Sequence, residues 1–132
     1  GIAALEFALV LPALLFLLVG LTEVGSGLNA YLTVINAGRD AARLGANGNV
    51  PDDIIRDAAA FVMDRLPNAV NPATDITVEH NAIVNREAVK VTVCYDHKLI
   101  LGPSTAFLDI SPFRMCASST MPVLTANPGA PA

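Results

Sequence analysis

The sequence predicts an α+β chain with a long N-terminal hydrophobic α-helix, a short second helix and a small antiparallel β-sheet. Three observations carry that expectation. Ile2–Leu21 is an apolar run interrupted by one carboxylate, Glu6. Beyond it, apolar and small residues recur at alternating spacings of three and four as far as about Ala46, the period of a helix with one packed face. Further on, Val89, Val91, Val93 and Tyr95 alternate with Lys90, Thr92, Cys94 and Asp96, the period of a half-buried strand. These patterns divide the chain into an N-terminal helix over 1–46, a small α+β domain over 47–124 and a flexible tail over 125–132.

The first helix is long enough to enter a membrane. Twenty residues from Ile2 to Leu21, at about 1.5 Å each, span the ~30 Å hydrocarbon core of a bilayer. A secretory signal peptide is the competing reading, but its apolar core is shorter, about 7–15 residues, and it ends in a small-residue cleavage site that is not found near Gly20. Glu6 asks for an explanation, because an ionisable side chain inside an apolar helix costs several kcal/mol unless it faces a partner. No Lys or Arg precedes Arg39, so the nearest cation is the α-amino group at Gly1, about one turn away. In a staggered pair of such helices the amine of one copy meets Glu6 of the next, and the charge pair sets the register. A plainer reading leaves the carboxyl neutral at the membrane interface.

Past Thr22 the helix becomes amphipathic. Leu21, Val24, Leu28, Tyr31, Ile35, Gly38 and Ala42 form the expected packing stripe, with Glu23, Asn29, Asn36, Arg39, Asp40 and Arg43 off it. Small residues at Gly20, Gly25, Gly27, Ala37, Gly38, Ala41 and Ala42 would let other backbones approach closely. Pro12 lacks an amide donor and crowds the carbonyl four residues earlier, which predicts a kink or an unwound turn around Ala8–Pro12.

Gly45–Val50 reads as a turn. Pro51, Asp52 and Asp53 start a second helix, where acids complement the helix dipole. Its buried face is expected to be Ile54/Ile55, Ala58, Val62 and Leu66, and Pro67-Asn68 ends it. Asn71-Pro72 opens a turn into a strand over 75–80, with Ile76 and Val78 on one side, and residues 81–86 are expected to connect it to the Val89–Tyr95 strand. A third strand from Phe113 to Met121 puts Arg114, Cys116, Ser118 and Thr120 on one side, so Cys116 shares a polar face as Cys94 does. Two cysteines on the same face of adjacent antiparallel strands can lie within the ~4.4–6.8 Å Cα separation of a disulfide, and an even number of cysteines in a chain projecting into an oxidising space favours that pairing. Between them, Leu99–Leu108 is too apolar for a solvated loop and should rest on a membrane or a neighbour.

Composition narrows the function. The apolar fraction is 53% and the formal net charge −4, with neither a basic patch nor an aromatic platform, which argues against nucleic acid. His80 and His97 lie at strand ends as solvent-facing or hydrogen-bonding residues. No Ser–His–Asp spacing, metal-ligand cluster or phosphate loop is present. Asp52, Asp53 and Asp57 are more simply a solvated helix start than a cation site. The expectation is a non-enzymatic chain without metal or cofactor.

Gly1, four small or apolar residues, Glu6, Phe7 and then an apolar run containing Pro12 together resemble a prepilin-peptidase recognition pattern. The fuller string GIAALEFALVLPALLFLLVGLTEVGSGLNAYLTVINAGRDAARLGA is similar to the TadE-like family of Tad (tight adherence) pili. The resemblance implies cleavage after the glycine, making Ile2 the first mature residue. With Gly1 present, either the chain keeps the residue before the cut or processing is shifted by one position; the lack of a basic leader before Gly1 is taken to mean that maturation has occurred. Also implied are assembly residues Gly1, Ile2, Glu6, Phe7 and Pro12, and a pilin-like subunit that polymerises through its hydrophobic helix into an extracellular pilus. Its partners would be copies of itself in a helical filament, prepilin peptidase, the pilus assembly machinery, other pilins and, before assembly, inner-membrane lipid. Its domain would face the periplasm until assembly. One alternative is a minor pseudopilin that stays in the inner membrane and primes assembly; another is a membrane-tethered binding domain that never polymerises.

Overall fold

The structure, a computed structural model, describes residues 1–68, 70–83, 86–99 and 112–124. In chain order they form α1 (Ile2–Gly45), α2 (Asp52–Met63), the single turn α3 (Pro72–Asp75), β1 (Ile76–Ile83), β2 (Arg86–His97) and β3 (Phe113–Pro122). The strands make an antiparallel sheet in the order β1-β2-β3, so the α+β expectation holds. All but the first residue of the apolar connection Leu99–Leu108 lies outside the described residues, as does the tail from Thr125.

α1 runs for 44 residues, about 66 Å at the usual rise. It continues through Pro12 without the unwound turn that was one of the two outcomes expected at Ala8–Pro12. A proline removes only one donor from the ladder, and the apolar helix formers on either side keep the remaining bonds.

The half of α1 after Asn29 packs across the sheet, and the face it uses differs from the expected stripe. Buried are Ala30, Val34, Ala37, Gly38, Ala41, Ala42 and Gly45, whereas Leu21, Val24, Leu28 and Tyr31 stay exposed. Only Gly38 and Ala42 belong to both sets. The reason is separation: a Cβ placed on Gly38 would lie 3.8 Å from the Val91 carbonyl oxygen and 3.9 Å from that of Ala117, an approach that only small side chains permit. Gly45 is closer still, since an added Cβ would come within 2.9 Å of Val89 Cγ1 and 3.0 Å of Ile55 Cδ1. Gly45→Ala should therefore destabilise the domain by about 1–3 kcal/mol through overpacking, whereas Gly38→Ala should be neutral or gain up to about 1 kcal/mol of helix propensity. Thermal melts of the detergent-solubilised chain compare the two, and equal melting temperatures would contradict this packing.

α2 lies between α1 and β1. It buries Ile55, Ala59 and Met63, joined by Leu66 after the helix, while Ile54 is exposed and Val62 only partly packed. Ile55 and Leu66 are buried as expected, while Ala59 and Met63 take the places expected for Ala58 and Val62. The sheet presents Ile76, Val78, Val89, Val91, Val93, Tyr95 and Met115 to the helices, as the alternation predicts. β1 extends beyond the expected strand: Ile83 pairs with Arg86, so the hairpin reaches into the span expected to be a turn. At the far end, the Leu124 amide donates to the Ala46 carbonyl at 2.7 Å and the Val123 amide to that of Glu87 at 2.8 Å, closing the end of α1 against the sheet. Gly48 makes the preceding turn with φ +83°, a conformation that favours glycine.

On the outer face Cys94 and Cys116 sit opposite each other in register and are joined, with Cα atoms 4.1 Å apart. On the chain-entropy model the bond is worth about 3 kcal/mol. Cys116→Ser should lower the unfolding free energy by that order, read from urea titrations of the detergent-solubilised chain with and without the substitution; an unchanged midpoint would show that the crosslink constrains nothing.

Candidate functional site

The functional helix is the part of α1 that the rest of the chain leaves uncovered. From Ile2 to Thr22 no side chain is buried, although nearly all are apolar: Ile2 is 80% exposed, Phe7 65% and Phe16 77%. Its most hydrophobic window is long and apolar enough to cross a membrane. Twenty-odd residues of this kind exposed to water would be strongly unfavourable, since each large aliphatic side chain is worth about 1.5–3 kcal/mol on burial. The stretch requires lipid or other helices around it.

Gly1, Ile2, Glu6, Phe7 and Pro12 all lie on this uncovered part. Gly1 caps the helix start, its carbonyl accepting from the Leu5 amide at 3.4 Å. Among the described residues Glu6 has no ion-pair or hydrogen-bond partner. It shares a helix face with Ala13 and Gly20, seven and fourteen residues on, where little side-chain bulk would hold off an approaching helix. Among the described residues no cation of the same chain reaches Glu6.

Where α1 meets the sheet, polar contacts fasten it. The Ser26 hydroxyl lies 3.3 Å from His97 Nε2 and donates to the Glu23 carbonyl at 3.1 Å. His97 is buried at the end of β2. This is a structural bond between elements distant in sequence, and neither the histidine nor the serine carries a sequence signal of it. His80 Nε2 lies 2.8 Å from Asp52 Oδ1, tying β1 to the first turn of α2 and occupying one of the three acids considered for a cation. The expectation that both histidines are solvent-facing or hydrogen-bonding is met. Among the described residues no three His, Cys, Asp or Glu side chains converge as metal ligands do. Arg114 reaches Asp75 at 3.4 Å and Asp96 at 3.5 Å on the surface, pairs worth at most about 1 kcal/mol each.

Beside the His97–Ser26 contact lies a largely apolar groove of about 440 Å³, lined by Val24, Gly27, Leu28 and Tyr31 of α1 and by Leu99, Phe113 and Met115 of the sheet end, with Glu23 and His97 as its polar members. The sequence offers no sign of it beyond the apolar character of Val24 and Leu28, which the helical period assigns to the packing stripe.

An uncovered apolar helix fastened by its distal half to a small disulfide-bearing sheet defines a helix-anchored α+β protein of the kind that attaches to a membrane. Its N-terminal segment, residues 1–43, matches the sequence model of the family described as TadE-like protein. That segment is the long apolar helix itself, and the match stops before α2 and the sheet. Neither the curated proteins nor the solved structures yield a match.

Proposed function

We propose that this chain is a structural subunit that polymerises through α1 into an extracellular Tad pilus filament. The observation that carries the reading is the helix from Ile2 to Thr22, apolar yet uncovered by its own chain. Before assembly that stretch sits in inner-membrane lipid with the sheet domain in the periplasm. In the filament, copies of the helix replace lipid around one another, and each domain lines the outside. The working division is a helix over 1–46 for membrane and filament core, a domain over 47–124 for the surface, and a tail over 125–132.

Within this reading prepilin peptidase acts at Gly1–Ile2, the amine it leaves pairs with Glu6 of a neighbouring copy, and Phe7 packs beside that pair. Pro12 leaves the Ala8 carbonyl without its usual donor, available to a neighbour. Shearing fibres from cells and identifying their protein tests the reading. This chain is expected as the main component; fibres that lack it, or hold only traces of it, would refute its role as the polymerising subunit.

A further inference from the structure

The groove at the foot of the sheet lies at a definite height along α1. Ile2–Thr22 is the uncovered apolar part, and 21 residues rise about 32 Å, close to the ~30 Å hydrocarbon core. Ser26, which bonds to His97 of the sheet, comes one turn later. Each headgroup layer is about 5–8 Å deep, so Glu23 to about Gly27 stand within it and Leu28 lies at its outer edge. At this height the groove opens, and its rim is apolar where an aqueous surface should be polar: Val24 is 69% exposed, Leu28 57% and Phe113 64%.

The position of Phe113 in β3 makes its exposure informative. It alternates with Met115 and Ala117, so it is on the core-facing side of the sheet, and it pairs in register with His97. Yet α1 leaves it uncovered. A phenylalanine facing inward at the membrane-proximal end of a strand, left exposed in one groove with Val24, suits the edge of the hydrocarbon better than water. Lys98, between His97 and Leu99, is exposed and makes no ion pair among the described residues; it borders the polar hollow of Asn68, Asp75 and Asp96 rather than the groove itself, and from there its ammonium can reach lipid phosphate.

We propose that this groove is a seat for the bilayer surface, with Val24, Leu99 and Phe113 set into the boundary between headgroups and acyl chains, Leu28 at the outer edge of the headgroups and Lys98 beside them on a phosphate. The inference rests on the membrane-anchored state of the proposed function but not on polymerisation. The seat holds the sheet domain against the membrane at a fixed height, and lipid leaves it when the helix is extracted.

The chain has no tryptophan, which allows single-tryptophan reporters in the full chain, reconstituted over a range of protein-to-lipid ratios in phosphatidylethanolamine and phosphatidylglycerol brominated, in separate preparations, near the headgroup end and near the methyl end of the acyl chains. Phe113→Trp reports the groove, Leu14→Trp the membrane span, and Thr120→Trp the outer face near the far end of β3. The expected result is blue-shifted emission and quenching by brominated lipid at positions 14 and 113, with position 120 unaffected. Quenching at 14 without quenching at 113 overturns the seat and leaves the anchor standing. No quenching at either position overturns the anchor and the seat with it. Quenching at 120 as strong as at 113 means that the whole sheet lies on the membrane, and the groove has no special part. A blue shift at 113 that grows with protein-to-lipid ratio, without lipid quenching, means that a second copy fills the groove, which also overturns the proposal.

Discussion

Cells carrying Glu6→Ala are expected to insert the chain in the membrane and to make no filament. The two halves of that result have separate physical causes. Insertion depends on the apolar stretch, and taking a carboxylate out of it removes a cost of about 2.5–3.5 kcal/mol at the helix centre and somewhat less near its end. Membrane fractionation should find at least the wild-type amount. In the proposed filament, assembly depends on a pairing of Glu6 with a neighbouring amine, and among the described residues Glu6 has no partner within its own chain. Without the carboxylate, the amine of the neighbouring copy enters a dry interface unpaired, and breaking one side of a buried ion pair costs about 3–5 kcal/mol. That penalty recurs at every subunit contact along a fibre, so filament yield should fall to near nothing rather than by a fraction. Glu6→Gln retains the shape but not the charge and should fail as well. Wild-type piliation in either strain would dismiss the charge pair as the determinant of register.

A chain shortened to begin at Leu28 is expected to be soluble, folded and monomeric. The core explains why the cut is tolerated. The first buried residue of α1 is Ala30, and Val34, Ala37, Gly38, Ala41, Ala42 and Gly45 follow, so the whole packed face survives. The contact between Ser26 and His97 is lost, at a cost of about 1 kcal/mol for one hydrogen bond. The stretch that needs lipid is gone, and with it the drive to associate: each large aliphatic side chain from Ile2 to Leu21 withdraws about 1.5–3 kcal/mol of burial that only a membrane or another helix can satisfy. Sedimentation should give a single species of monomer mass, with circular dichroism of a folded α+β domain. Fibres formed by the shortened chain would place the assembly drive in the sheet and refute the role of α1 as the polymerising element.

Legibility differs from element to element for identifiable reasons. The strands of the hairpin and β3 are readable because one face of the sheet is buried and the other wet, which writes a period of two into Ile76/Val78 and into Val89, Val91, Val93 and Tyr95. The cysteines are readable by the same alternation, which places both on the outer face. Around α2, Ile55 and Leu66 are buried as expected, but Ala59 and Met63 replace Ala58 and Val62, because Ile54 and Ile55 are chemically identical and the pattern alone does not choose which of them leads the face. The packed face of α1 departs from expectation for a deeper reason. Hydrophobic periodicity favours the bulkiest apolar residues, whereas this helix lies so close to the strands that only alanine, glycine and one valine fit between.

The sequence by itself determined that a membrane-length helix with a lone carboxylate leads into a small α+β domain, because helix length, strand alternation and the cost of a charge in an apolar run are local properties of the chain. Only the tertiary structure decided which side of α1 the sheet occupies, that Ser26 meets His97 across seventy-one positions, and that Val24, Leu28 and Phe113 come together around an open apolar groove. Those outcomes depend on the distance and rotation between elements. Such quantities are set by the sum of many packing contacts and are not written in the period of any single segment.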